Sequence, residues 1–240
     1  MAVNVRELGQ KLLGWLTTRR PRAYLFAGWI LFVLGSYPGY MNSESILQLY
    51  TVRSGDYSDF SPMMTAVWSI LEWVIAGPFG LLALQSALFL FGAWAILATL
   101  LRPRVAAVTA SLVLLFPPVF SVMAVIWPDP LMAASLLAAT GAALQGTKRW
   151  IAAAFCFALL ACACRPDAVV AVGAILLALV SAPSTLRRVA ISLGASIVIL
   201  LLALGANELA TVKDTYVREH NLQMLDIVGT LRRAKIKDEA

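Results

Sequence analysis

Long apolar runs alternate with short polar segments along most of the chain. Several of these runs extend over 15 to 23 residues with few charges, which is the pattern of transmembrane helices. The predicted fold is an all-α polytopic membrane protein with about seven transmembrane helices. The predicted spans are residues 23–37, 79–101, 105–126, 131–146, 150–164, 168–182 and 189–206.

The first long polar segment, residues 38–78, follows the first span. Asn42 or Ser43 can cap a helix there, and Gly55, about three turns later, can end it. This helix carries an apolar stripe that ends in an arginine, which suits a helix lying in the headgroup plane. The stripe consists of Ile46, Leu49, Tyr50 and Arg53.

A second loop helix is predicted from Ser61 and Pro62, as cap and first helical residue, to Ala76. It is short for a span and contains Glu72. If it crossed the membrane, the basic clusters of the later loops would face the side opposite to the basic N-terminal segment. If it lies at the interface, all of these clusters face one side, so the positive-inside rule predicts an interfacial helix.

The resulting topology divides the chain into three parts. Residues 1–22 form a cytoplasmic segment, residues 23–206 the transmembrane domain, and residues 207–240 an outer, periplasmic segment. Inner segments then hold eleven Lys and Arg residues and one acid, whereas outer segments hold eight basic residues and twelve acids. The acidic chemistry is therefore predicted to gather on the outer face of the membrane.

Composition supports a membrane fold and excludes several classes of function. The chain is 60% hydrophobic and 13% charged, whereas soluble domains carry about 25% charged residues. Its net charge of +6 comes mostly from short clusters between apolar runs, which indicates topology and not nucleic-acid binding. The sequence has no P-loop, no glycine-rich dinucleotide turn and no Cys/His metal spacing, so soluble-type kinases, dehydrogenases and hydrolases have no support.

Two acids in predicted outer loops are candidates for catalysis. Glu44 lies in the first turn of a loop helix, where it is either a solvated acid or a general base for an acceptor hydroxyl. Asp129 lies between Pro128 and Pro130, where it is either a helix cap, with Pro130 as first helical residue, or a second catalytic acid held in place by the prolines. Together the two carboxylates could hold Mg²⁺ or Mn²⁺, although the sequence requires no metal.

Three further residues are candidates for substrate binding. Arg165 lies between two short predicted spans, where it either pairs with Asp167 or binds a phosphate through its planar guanidinium. Asp59 lies in a polar turn of the first outer loop, where turn and cap chemistry is the favoured reading and substrate binding the alternative. Tyr40 follows the first span, where an aromatic residue also suits the membrane interface.

The string YPGYMNSESILQLYTVRSGDYSDFSPMMTAVWSILE, residues 37–72, resembles the first outer loop of bacterial C-type integral-membrane glycosyltransferases. These enzymes are related to the protein mannosyltransferases that use polyprenyl-phosphate sugars and to the lipid A aminoarabinose transferase. The similar features here are an acid soon after the first span, a Gly-Asp-Tyr turn, and an aspartate before a proline-initiated helix. A second outer acid in residues 127–130, an Arg-Pro break in 164–167 and the outer segment 220–229 also look like the family pattern.

The resemblance implies an enzyme of the bacterial inner membrane that moves a sugar from a polyprenyl-phosphate donor to an acceptor outside the membrane, with inversion. Carried over by position, Glu44 is the base, Asp129 a second acid or metal-associated residue, and Arg165 a contact of the donor phosphate. The chain departs from the family at 61–63, where members often have His-Pro-Pro, and at Glu44, where they often have Asp.

Members of this family are usually longer, so the resemblance implies that the chain corresponds to their N-terminal half. A missing C-terminal half or a protein partner would then complete the enzyme. The alternatives are a non-catalytic or truncated membrane protein of the same family, and a transporter or flippase component. Transport is disfavoured because the acids are predicted at the outer ends of spans and not near the bilayer midplane.

Overall fold

A computed structural model describes residues 20–55 and 61–211 of the 240-residue chain. The all-α class is confirmed for these residues, in which the isolated parallel bridge between Tyr40 and Val125 is the only β pairing. The helices are α1 (Pro21–Ser36), α2 (Ser43–Ser54), α3 (Pro62–Val74), α4 (Phe79–Leu97), α5 (Pro103–Leu115), α6 (Pro117–Met123), α7 (Pro128–Ala143), α8 (Lys148–Cys164), α9 (Ala168–Leu179) and α10 (Thr185–Ala210).

The centre of the bundle is the contact between α4 and α7. Two glycines allow this close approach. A Cβ at Gly92 of α4 would lie 2.4 Å from the carbonyl carbon of Leu137, and a Cβ at Gly141 of α7 would lie 2.9 Å from the carbonyl oxygen of Gly92. On its other side α7 packs on α8, while α1 packs on α5 and α9 packs on α10. Small residues at helix contacts are typical of membrane bundles, where van der Waals packing drives association.

The first loop helix begins and ends where the sequence predicts. Asn42 caps α2, because its Oδ1 accepts a hydrogen bond of 2.8 Å from the backbone N–H of Ser45. Gly55 ends the helix with φ 75°, a conformation that favours glycine. The helix buries polar residues and exposes apolar ones, as expected for a surface that faces lipid. The buried residues include Ser45, Gln48 and Thr51, and the exposed ones include Ile46, Leu47 and Tyr50.

The second loop helix, α3, also begins as predicted, with Ser61 as cap and Pro62 as first helical residue. It ends at Val74, two residues before the predicted Ala76. Trp68 is buried against the bundle, while Trp73 on the opposite side is 92% exposed. An apolar face without protein cover suits the predicted interfacial position.

Two helices, α4 and α10, are long and apolar enough to cross a bilayer. The pair α5 and α6 becomes a third if it is one broken span, because it bends by 72° at Phe116–Pro117. The apolar helices indicate a membrane protein. By length and composition the described part nevertheless contains fewer candidate spans than the seven predicted, because α1, α7 and α8 have only 16, 16 and 17 residues and α9 has 12.

Helix bounds differ most from the prediction in the last span. The prediction placed it at 189–206, but α10 runs from Thr185 to Ala210. The reason is local: Ser184 caps the helix by accepting a hydrogen bond from the backbone N–H of Arg187. Asn207 therefore belongs to the last turn of α10 and not to the tail that follows it.

Hydrogen bonds join one set of helix ends, which we call the acidic end. Gln85, near the start of α4, donates to the carbonyl oxygens of Met123, the last residue of α6, and Val125, two residues further on, at 2.7 and 2.9 Å. Asn207 of α10 donates to the carbonyl oxygen of Ala163 in α8 at 2.9 Å. All acids of the described part lie on this side of the bundle: Glu44, Glu72, Asp129, Asp167 and Glu208.

The opposite ends of the helices form what we call the basic end. It contains the start of α1 and the α4–α5, α7–α8 and α9–α10 connections. Within residues 20–55 and 61–211 it carries eight cations and no acid: Arg20, Arg22, Arg102, Arg104, Lys148, Arg149, Arg187 and Arg188. Among the same described residues the acidic end carries only the cations Arg53 and Arg165, so charge in this part of the chain is segregated along the bundle axis.

Candidate functional site

The loop between α1 and α2 is attached to the turn between α6 and α7. The backbone N–H of Tyr40 donates to the carbonyl oxygen of Ala124 at 2.9 Å, and the N–H of Ile126 donates to the carbonyl oxygen of Tyr40 at 3.0 Å. The hydroxyl of Ser45 donates to the carbonyl oxygen of Ile126. These bonds place the start of α2 beside the turn that carries Asp129.

Glu44 is exposed in the first turn of α2, the position that the sequence predicts for it. Its Oε2 accepts a hydrogen bond of 2.8 Å from the indole Nε1 of Trp127. This bond orients one carboxylate oxygen, while no partner within the described part of the chain contacts the other oxygen. The carboxylate is therefore fixed in direction and still open to solvent, as a general base for an incoming hydroxyl must be.

Asp129 does not cap α7, so the cap alternative is wrong. Trp127 occupies the cap position, Pro128 is the first helical residue, and no side chain bonds to the helix start. Asp129 instead approaches Arg165, with 3.1 Å between Oδ1 and the guanidinium Nε. The two side chains are 38% and 43% exposed, so water competes with this ion pair.

Arg165 connects two acids at the α8–α9 break. Its Nε also lies 3.5 Å from Oδ1 of Asp167, the ion pair that the sequence suggests. The guanidinium has further N–H donors, for which the described residues supply no partner. An arginine held through Nε can present its terminal nitrogens to a phosphate as a bidentate pair.

Three of the predicted site residues thus meet around one turn. Trp127 contacts Glu44, and two residues later Asp129 contacts Arg165, so two acids and a cation share the acidic end. They lie on an open surface. A cavity of about 650 Å³ at the same end, between α2 and α3, is lined by Arg53 and Glu72 among others, and none of the three predicted residues lines it.

The remaining predicted site residues have other positions. Tyr40 joins the loops of the acidic end through its backbone. Its hydroxyl donates to the carbonyl oxygen of Gly35 at 3.1 Å, and the residue as a whole is 52% exposed. Asp59 lies outside the described residues. Glu72, to which the sequence gave no role, accepts two hydrogen bonds from Arg53 at 2.9 and 2.7 Å and a third from the N–H of Gly77 at 2.7 Å.

Among the described residues, the side chains that could bind a metal ion are not clustered. In the described part of the chain no group of three or more Asp, Glu, His or Cys side chains has a geometry that could hold a metal ion. The nearest partner of Asp129 is a guanidinium, and that of Glu44 is an indole N–H. The residues present therefore do not fit the Mg²⁺ or Mn²⁺ site that the sequence left open, and no step below depends on one.

Sequence reasoning missed the groups that hold this end together. Ser61 donates its hydroxyl to the carbonyl oxygen of Ala163 at 3.0 Å, in addition to its predicted cap role. Asn207 donates to the same carbonyl and accepts from the backbone N–H of Met63 at 3.0 Å. The one local indication was polarity itself: Gln85 and Asn207 are amide side chains inside long apolar helices, where a polar group needs a partner.

No protein-family model matches the chain, and no curated protein or solved structure is significantly similar to it.

Proposed function

We propose that the chain is a membrane glycosyltransferase that moves a sugar from a polyprenyl-phosphate donor to an acceptor hydroxyl on the outer face of the membrane. The observation that carries the proposal is the pairing of Asp129 with Arg165 beside Glu44 at one end of an apolar bundle. It supplies a base and a phosphate ligand at a water–lipid boundary. The resemblance of residues 37–72 to C-type glycosyltransferases supports the same chemistry.

The proposed reaction needs two groups on opposite sides of the sugar. Glu44 removes the proton of the acceptor hydroxyl, and the acceptor oxygen forms a bond to C1 of the sugar. The bond between C1 and the phosphate oxygen breaks, and its electron pair remains on the polyprenyl phosphate. Arg165 stabilises the charge of that leaving phosphate, so attack and departure on opposite faces invert C1. Asp129 positions Arg165 through the contact of 3.1 Å.

The proposed topology has seven spans in the bacterial inner membrane, with the acidic end outside, the N-terminus in the cytoplasm and the C-terminus in the periplasm. Eight cations at the basic end support this orientation, because Lys and Arg in short loops remain on the cytoplasmic side. In this topology α2 and α3 lie in the outer interface.

A second candidate function is a non-catalytic membrane protein of the same kind. The observation that favours it is that both predicted catalytic carboxylates already have protein partners, Trp127 for Glu44 and Arg165 for Asp129. In this alternative Glu44, Asp129 and Arg165 hold the outer loops together and take no part in catalysis. The proposed test therefore separates a loss of chemistry from a loss of structure at the same residue.

The test compares two substitutions at Glu44. In Glu44→Gln the amide oxygen can still accept from Trp127, but the group no longer takes a proton. In Glu44→Ala both properties are lost. Proteoliposomes of each variant are incubated with a panel of undecaprenyl-phosphate-linked hexoses and an extract of cell-envelope acceptors, and release of undecaprenyl phosphate is measured by mass spectrometry.

A catalytic base predicts that Glu44→Gln lowers the rate at least about 100-fold while the protein remains as stable as wild type. Arg165→Gln should lower the rate as well and weaken binding of undecaprenyl phosphate itself. Glu208→Gln, an exposed acid at the same end, is the matched control and should keep full activity. If Glu44→Gln keeps full activity, or if the wild-type chain transfers no sugar, the catalytic proposal is rejected and the non-catalytic alternative stands.

A further inference from the structure

An apolar cavity lies between α7, α8, α9 and α10, and none of the candidate site residues lines it. Its volume is about 320 Å³, which falls in the range of ligand pockets. Every lining residue is apolar; the walls include Ala154 and Phe155 of α8, Leu176 of α9 and Val198 of α10. The cavity therefore offers no polar group that could orient a water-soluble ligand.

The cavity reaches the basic end of the bundle. Its lining includes the last residues of α7 and α9, Ala143 and Leu179, and also Ile151 in the first turn of α8. Lys148 lies three residues before Ile151, so the two share a helix face. Cationic residues therefore lie directly beside the basic end of the apolar cavity.

In the described part of the chain, no acid neutralises the cations at this end of the cavity. Arg188 reaches from α10 to the end of α9, where its Nε donates to the carbonyl oxygen of Leu177 at 2.6 Å. Lys148, Arg149 and Arg187 are exposed, and no residue of the described part pairs with their side chains. The basic end also contains no acid within residues 20–55 and 61–211, so an anion is the complementary ligand.

We propose that the cavity holds an acyl chain of an anionic glycerophospholipid, whose phosphate lies among Lys148, Arg149 and Arg187. An amphiphile with an apolar chain and an anionic head matches both parts of the site. Basic pockets between transmembrane helices are known sites for such headgroups. In the proposed orientation the lipid comes from the cytoplasmic leaflet, but its binding is independent of any sugar transfer at the acidic end.

The test uses the full chain purified in dodecylmaltoside and measures bound lipid by native mass spectrometry. Phosphatidylglycerol and phosphatidylethanolamine with identical acyl chains are titrated separately. Lys148→Gln combined with Arg149→Gln should weaken phosphatidylglycerol binding about 30-fold, because each cation near a lipid surface contributes roughly one factor of five. Arg22→Gln combined with Arg102→Gln removes two charges from the same end, away from the cavity, and should leave the affinity unchanged.

Two substitutions test the cavity from opposite walls. Ala154→Phe and Ala195→Phe fill it and should weaken binding of both lipids, while excess glycerol phosphate should displace neither. The proposal is overturned if the two lipids bind equally, if the control pair weakens binding as much as the pair in α8, or if both filled variants bind normally. If a cavity-filling variant does not fold, the proposal is decided by the difference in affinity between the two lipids and by the two pairs of charge substitutions.

Discussion

The indole N–H of Trp127 donates a hydrogen bond of 2.8 Å to the carboxylate of Glu44, although 83 residues separate them in the chain. The bond attaches α2 to the turn before α7. It also distinguishes Glu44 from Glu208, another exposed acid at this end, because in the described structure a defined partner orients Glu44 and none orients Glu208.

We expect Glu44 and Trp127 to be coupled in stability. A double-mutant cycle with Glu44→Ala and Trp127→Phe should give a coupling energy of about 0.5–1.5 kcal/mol, the net value of a hydrogen bond at a partly solvated site. The free energy of unfolding is measured in mixed SDS and dodecylmaltoside micelles. Combining Glu208→Gln with Trp127→Phe is the control and should be additive. A zero coupling energy for the first pair would show that the bond does not join the loops.

The contact between α4 and α7 should tolerate no side chain at Gly92. Gly92→Ala would place a methyl group against the backbone of Leu137 and Ala138, so the helices must separate, and we expect a loss of about 1–3 kcal/mol. Gly194 of α10 has open space where a Cβ would lie, and Gly194→Ala should stabilise the chain by about 0.5–1 kcal/mol. The free energy of unfolding of both variants, measured under the same conditions, should change in opposite directions relative to wild type.

We expect the amide group of Asn207 to be required for the stability of the chain. It donates to Ala163 and accepts from Met63, and Asn207→Asp keeps the acceptor but places an anion against the carbonyl oxygen of Ala163. We expect the variant to lose about 1–3 kcal/mol at neutral pH.

Lowering the pH should restore much of this stability, since the protonated acid can again donate to Ala163. The free energy of unfolding of Asn207→Asp is therefore measured from neutral to acidic pH. Glu208→Gln serves as the neighbouring control. Equal stability of Asn207→Asp and wild type at neutral pH would contradict a bridging role of the amide.

Labelling with a membrane-impermeant maleimide should separate the two ends of the bundle. In a background with Cys156→Ala, which removes the exposed cysteine, single cysteines are introduced by Ser43→Cys at the acidic end and Thr147→Cys at the basic end. Neither side chain makes a hydrogen bond within the described structure. We expect the first to react in intact cells and the second only after permeabilisation. Reaction of both from one side would refute the proposed topology.

Local features of the fold could be predicted because they depend on neighbouring residues alone. The cap at Asn42, the helix end at Gly55 and the start at Ser61 follow from hydrogen bonding and backbone freedom within one turn. The kink at Pro117 follows from the missing N–H of proline. Asp129 shows the limit: both Pro128 and Pro130 can begin a helix, and only the surrounding structure selects Pro128.

The candidate site could be predicted only as a set of residues on one side of the membrane. Its contacts join positions far apart in the chain, such as Asp129 with Arg165 and Gln85 with the carbonyl oxygen of Met123, and no local pattern encodes them. Apolar windows likewise could not show how far each helix continues. They ended the last span at 206 because Asn207 is polar, whereas its amide forms bonds that keep it inside the helix end.

The unequal lengths of α9 and α10 have a consequence for the bilayer itself. These helices pack side by side, but their 12 and 26 residues correspond to roughly 18 and 39 Å, against a hydrocarbon core of about 30 Å. In the proposed topology both helices cross the membrane and no single thickness suits both, so we expect α10 to tilt and the bilayer beside α9 to become thinner. The chain should therefore gather short-chain lipids along that flank and partition into thin membranes in preference to thick ones.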